Sequence, residues 1–175
     1  MTGEGIPDLL GMLVRTAQNK LADEVSERDE FQCTVLEVKM IEGHGTTIDV
    51  VLVNGELRVG DTIVLAGFNG PIVTKIRALL TPEPLREIRV KAEYMHHESL
   101  HGAMGIKISA PELEMALAGG ELYKAESEDD IEDLEILIEE TMLDFTEKYL
   151  SPDREGVYVM ASTLGSLEAL LEFLK

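Results

Sequence analysis

A chain of 175 residues with 45 % hydrophobic side chains has room for one ordinary domain, or a small one with helical appendages, and enough apolar material for a core. Its one cysteine, Cys33, excludes an internal disulfide and points to a reducing, cytoplasmic setting. A net charge of -19 argues against a generally basic surface, and neither a secretory leader nor a run of about eighteen apolar residues is present.

The acid is unevenly spread. Asp and Glu outnumber Lys and Arg by 7 to 3 over residues 1–30 and by 15 to 3 over 126–175, but by only 12 to 9 over 31–125. The middle of the chain is therefore nearly balanced and can approach phosphate locally.

In chain order, residues 6–27 carry Leu9, Leu10, Leu13, Val14, Ala17, Leu21 and Val25 at spacings of three and four, which predicts an amphipathic helix with Pro7 in its first turn. Such a stripe needs a docking partner, because a lone helix of this length is marginal in water. From Phe31 to Lys124 the pattern changes to short β-branched runs: FQCTVLEVKMI, TTIDVVLV, ELRVGDTIVLAG, PIVTKIRALL, LREIRVK, GIKI and ELYKA. Asn54-Gly55 between two of them signals a two-residue hairpin, since a type I′ turn needs positive φ at both central residues. Many short strands without long helices between them predict a sandwich or a closed barrel, and closure favours the barrel because it removes exposed edges. A second helical stripe follows at Ile131, Leu134, Ile138, Met142, Phe145 and Tyr149, with Ser127 as its cap and Glu128, Asp129 and Asp130 at the favourable end of the helix dipole. Its like charges predict a helix prone to fray, a hinge-like linker. The tail, from 156 onward, reads as a buried strand, a Gly/Ser turn and an amphipathic helix, the opening of a domain cut short.

Three motifs suggest chemistry and lack its context. His97-Glu98-Ser99-Leu100-His101 matches the H-E-x-x-H zinc pattern, but that chemistry needs a stable helix and a third ligand. Here Gly102 and Gly105 follow at once, and Lys107 occupies the third-histidine position of the extended motif, so a polar connection between strands is the simpler reading. Asn19-Lys20-Leu21-Ala22-Asp23 carries its Asp one place late for guanine recognition, Asp8-Leu9-Leu10-Gly11 lies inside a helical stripe, and no phosphate-cradling loop occurs in the chain. No metal, cofactor or catalytic residue is therefore assigned. Lys75 and Arg77 share a face of one strand, Arg89 and Lys91 a face of another, with Arg86 nearby; these five cations are the candidates for contact with a phosphate backbone.

TGEGIPDLL at 2–10, GTTIDVVLVNG at 45–55, GDTIVLAG at 60–67, NGPIVTKIRALLTPEPLREIRVK at 69–91, Tyr94 with His96-His97, GIKI at 105–108 and ASTLGSLEALLEFLK at 161–175 occur in that order. Together they resemble the eukaryotic initiation factor 5B family, translational GTPases related to bacterial initiation factor two. The resemblance implies a mainly β fold: a Greek-key translation-factor barrel with an N-terminal helix, an acidic linker helix and a C-terminal β-α start of a truncated α/β domain. It divides the chain into the closing helix of a GTPase domain (1–28), the second-domain barrel (29–125), an acidic helical linker (126–155) and an incomplete third domain (156–175). It implies a noncatalytic, monomeric part of a cytoplasmic factor that joins ribosomal subunits. GTP and Mg would then be held by the missing GTPase domain, and Lys75, Arg77, Arg86, Arg89 and Lys91 would face small-subunit ribosomal RNA. A module that binds other proteins through exposed helical stripes is the competing reading.

Overall fold

A computed structural model describes residues 3–23, 26, 28, 30–41, 45–83, 94–149, 156 and 158–174. Helix α1 (Ile6–Lys20) begins with Pro in its first turn, behind Gly5 at φ 83°. It ends at Lys20, short of the predicted residue 27; Val25 lies outside the described residues. The stripe is formed as far as Leu21, but among its described residues none is buried.

Ten strands follow: β1 (Gln32–Ile41), β2 (Gly45–Asn54), β3 (Glu56–Arg58), β4 (Thr62–Gly67), β5 (Gly70–Lys75), β6 (Ala78–Pro82), β7 (Tyr94–His97), β8 (Ser99–His101), β9 (Met104–Ser109) and β10 (Glu121–Ala125). Eight form one sheet in the order β5-β4-β10-β1-β2-β9-β6-β7, and β3 pairs with β8 in a separate ribbon. All pairings are antiparallel. β10 enters between β4 and β1, and β9 between β2 and β6, which are crossings of the Greek-key kind. One cluster gathers Val35, Ile48, Leu57, Ile63, Leu79, Leu100, Ile106 and Leu122 from eight different strands. A sheet whose inner faces all meet in one cluster is wrapped round a single interior, as the predicted barrel requires.

Two runs that read as single strands are broken. Residues 56–67 turn at Gly60 (φ 95°), where the Asp61 carboxylate accepts the Arg58 amide at 2.9 Å. Residues 71–80 are interrupted at Ile76, whose amide donates to the Asp61 carbonyl at 3.0 Å, leaving β5 and β6 to pair with different neighbours. The predicted Asn54-Gly55 hairpin does not form. Gly55 has φ 92°, but Glu112 is the one non-glycine residue at positive φ among the described residues, so Asn54 cannot serve a type I′ turn. Instead β2 pairs with β1 and β9, and the chain passes Gly55, where a Cβ would stand 2.9 Å from the Phe31 ring, into the β3–β8 ribbon.

Helix α2 (Glu128–Tyr149) starts on a reciprocal cap: the Asp130 amide donates to the Ser127 hydroxyl at 3.2 Å, and the Ser127 amide to the Asp130 carboxylate at 2.7 Å. Its apolar stripe packs on the outer face of the barrel. Ile138 is buried with Val64, Ala66 and Ala125, flanked by Ile131, Leu134 and Met142. The acidic segment is thus a docked helix along its first part, where charge repulsion alone predicts fraying. Burial of its apolar face supplies the difference.

Helix α3 (Leu164–Leu174) is the last element among the described residues. Its first amide, that of Leu164, donates to the Ala118 carbonyl at 2.9 Å, and Thr163 caps it through the Ser166 amide at 3.2 Å. The buried strand expected before it is not found: residues 158–161 take no strand, and Tyr158 and Met160 are exposed. A strand needs a sheet edge to pair with, and residues 158–161 pair with none of the described strands.

Candidate phosphate-facing surface

The barrel's cations fall into two groups. Lys39 is held by Glu37 at 2.7 Å, Arg58 by Glu56 at 2.8 Å and Lys124 by Asp61 at 2.8 Å. Lys107 is buried against Asp49. Lys75 and Arg77 are exposed, and among the described residues neither has an ion-pair partner. Arg86, Arg89 and Lys91 lie outside the described residues.

The local fold aims the two free cations outward. Ile76 between them is buried, and the Arg77 amide donates to the Ser109 carbonyl at 2.8 Å, so strand-like alternation continues past the end of β5 and leaves both charges in water. The predicted sharing of one face therefore holds across the break. Lys75 also borders a cleft of about 700 Å³ with Glu112, Glu126 and Glu128, so the acidic start of α2 stands beside the cationic end of the barrel. An anion approaching this end meets two unneutralised charges, one of them, Lys75, beside the carboxylates of that cleft.

The H-E-x-x-H residues are spread over two strands. His97 ends β7, and its Nε2 lies 2.8 Å from the Thr81 hydroxyl. Glu98 follows, its carbonyl accepting the Val59 amide at 2.9 Å, and His101 in β8 lies 3.5 Å from Glu56. The helical face that would align two imidazoles on one ion is absent. Among the described residues no three His, Cys, Asp or Glu side chains gather as a metal cluster.

A feature that sequence reading missed is the pair Asp49–Lys107. They are cross-strand partners on β2 and β9, on the outer side of strands whose alternate residues, Ile48, Val50, Ile106 and Ile108, fill the core. Both are almost wholly buried, at 2 % and 1 % exposure. The Tyr94 ring centroid lies 5.7 Å from the Lys107 ammonium, a cation–π arrangement. Desolvation and, second, the Asp49 charge push the Tyr94 hydroxyl above its ordinary range. The available signal was a charged residue inside each of two strong strand patterns; their pairing needed the register.

An antiparallel barrel of Greek-key connectivity, preceded by a helix and followed by a docked acidic helix, is the architecture of the translation-factor barrel class. No family model matches the chain. It is 52 % identical over its whole length to eukaryotic translation initiation factor 5B of Saccharomyces cerevisiae, and 49 % identical over 99 % of its length to the Homo sapiens protein. It is also 43 % identical over 99 % of its length to a probable translation initiation factor IF-2 of Ignicoccus hospitalis. Among solved structures, GDP-bound aIF5B from Aeropyrum pernix superposes over 99 % of the chain with a TM-score of 0.84 at 39 % identity. The chain spans 17 % of the yeast relative, 14 % of the human one, 28 % of the archaeal one and 29 % of the solved chain. It belongs to the translation initiation factor 5B family, as a segment of that longer architecture. Among the described residues no helix is long and apolar enough to cross a membrane.

Proposed function

We propose that this chain is the noncatalytic docking and relay segment of a translation initiation GTPase that promotes ribosomal subunit joining. In this reading the barrel rests on small-subunit ribosomal RNA through Lys75 and Arg77, with Arg86, Arg89 and Lys91 as further contacts. The observation that carries it is the charge census: where four described barrel cations are neutralised by carboxylates, Lys75 and Arg77 are left free. Residues 1–28 are read as the closing helix of a GTPase domain, which would hold GTP and Mg; the exposed stripe of α1 is the face such a domain would cover. Residues 29–125 are the barrel, 126–155 the linker and 156–175 the beginning of a third domain. The factor is read as a cytoplasmic monomer.

Purified small ribosomal subunits and a salt series test this. The Lys75→Glu/Arg77→Glu chain is expected to bind more weakly at all salt concentrations, and the slope of log affinity against log salt to flatten by about one unit for each phosphate no longer neutralised. Unchanged affinity and slope refute RNA binding at these residues. The exposed apolar face of α1 favours a second reading, docking on another protein. Subunit binding that resists salt and is abolished in Leu9→Ser/Leu13→Ser selects that reading.

A further inference from the structure

The β4–β5 hairpin has two unlike ends. Lys75 pairs with Thr62 at the open end, while Gly67 and Gly70 close the other, roughly 17 Å away at ~3.3 Å per residue. At that closed end Phe68 stands 70 % exposed on the turn, its amide donating to the Met115 carbonyl at 2.9 Å. It forms a ridge between two apolar clefts. The larger, about 1000 Å³, is walled by Leu36, Leu117, Phe145, Leu164 and Leu167; the smaller, about 300 Å³, by Pro71, Ile138 and Leu143. The hydrogen bond from Leu164 to Ala118 ties the start of α3 to the barrel at the wall of the larger cleft.

The charges bordering both clefts have one sign. Glu37, Asp49 and Glu114 border the larger and Glu139 the smaller, and among the described residues no Lys, Arg or His lines either. Glu37 is engaged by Lys39, whereas Glu114 is exposed and accepts only the Thr46 hydroxyl, at 3.3 Å. Asp49 gives one oxygen to Lys107, and its other oxygen, Oδ2, is buried without a hydrogen-bond donor. An aromatic ridge between apolar clefts edged by carboxylates repels a phosphate backbone and suits apolar side chains flanked by cations.

We propose that Phe68 and its two clefts form a docking surface for a basic amphipathic helical segment of a partner protein. Leucine-sized side chains from one helix face would fill the clefts either side of Phe68, at the spacing that helix-in-groove recognition uses, and flanking Lys or Arg would meet Glu114 and Glu139. The surface lies at the far end of the hairpin from Lys75 and shares no residue with the phosphate-facing proposal. Either proposal can therefore fail alone.

The probe is a fluorescent synthetic peptide of leucine and lysine at amphipathic helical spacing, titrated into the 175-residue chain near physiological salt. Two controls accompany it: one with every leucine replaced by serine, one with every lysine replaced by glutamate. The parent peptide is expected to saturate at one per chain. Both controls, and the parent peptide on Phe68→Ala, should bind at least about tenfold more weakly, the loss typical of removing a central anchor. Phe68 is outside the core, so its truncation leaves the fold intact, and unchanged circular dichroism checks this. The chain carrying Leu10→Ser should bind as the parent chain does. Equal binding of the serine control reduces the effect to general attraction by a chain of net charge -19 and overturns the proposal. So does equal binding by Phe68→Ala, loss of binding in Leu10→Ser, or displacement of the peptide from Phe68 by a single-stranded RNA oligomer.

Discussion

The barrel interior and helix α1 are built from the same kinds of residue and end in opposite environments. Ile48, Val50, Leu52, Ile106 and Ile108 are at 0 % exposure, while Leu9, Leu10 and Leu13 stand at 52–56 %. Periodicity marks which side of an element is apolar, with equal clarity in both regions. Whether that side is covered depends on long-range partners: β2 finds β1 and β9, whereas α1 buries nothing against the described residues. An apolar stripe is therefore a demand for a partner, and in α1 the demand is unmet.

The sharpest break of this contrast comes from the buried charge pair. Asp49→Ala leaves the Lys107 ammonium uncompensated beneath the sheet surface and is expected to destabilise the chain by about 3–5 kcal/mol, read from denaturant unfolding. The double change Asp49→Leu/Lys107→Met should cost far less, because it removes both desolvated charges. A double variant as unstable as the single one shows that the pair's neighbours, not its charge balance, set the cost. Next in size, Ile106→Ala opens a cavity in the core cluster and should cost about 2–5 kcal/mol. Cys33 provides an independent readout. Burial pushes its thiol up to about 12, so it should resist thiol reagents in the folded chain and be labelled faster in either destabilised variant.

Much of this fold was legible in the sequence, and the misses share a cause. The strands around Ile48 and Ile106, the cap at Ser127 and the stripe through Ile131, Leu134 and Ile138 are local patterns, and all appear in the structure. The Asn54-Gly55 hairpin failed because β2 takes β9 as its second neighbour, a choice made across the sheet. The Asp49–Lys107 pair joins residues 58 positions apart, beyond the reach of any local motif. The tail strand is likewise a matter of long-range pairing, since residues 158–161 join none of the described strands. Of the candidate site, Lys75 and Arg77 were legible as outward-facing by alternation, but their freedom from ion pairs became visible only when Asp61 and Glu56 were seen to hold Lys124 and Arg58.

The start of α2 lies between the two extremes, and pH probes it. Hydrogen bonding with Ser127, first through its side chain and then through its backbone, holds the Asp130 carboxyl below its ordinary range. A carboxyl that titrates lower when folded stabilises the helix start above its unfolded pKa, and the contribution is lost as pH falls through the lowered folded value. Amide protection over the first turn of α2, taken relative to the intrinsic exchange rate at each pH, should therefore fall in acid, and Asp130→Asn should flatten the dependence. Ser127→Ala should cost about 1 kcal/mol, the usual worth of a helix cap. A pH-independent protection factor at the start of α2 removes the cap from the account and leaves packing at Ile138 as what holds the helix.

The smallest expected effect tests the contrast most directly. Leu10→Ser on the exposed stripe of α1 should change the unfolding free energy of this chain by no more than about 0.5 kcal/mol, because the side chain leaves water neither before nor after the substitution. The Cys33 labelling rate should be unchanged for the same reason, since opening the barrel does not involve α1. A destabilisation approaching that of Ile106→Ala shows that α1 packs on the barrel in solution. Its stripe then closes the chain on itself and is not a face left open for a neighbouring domain.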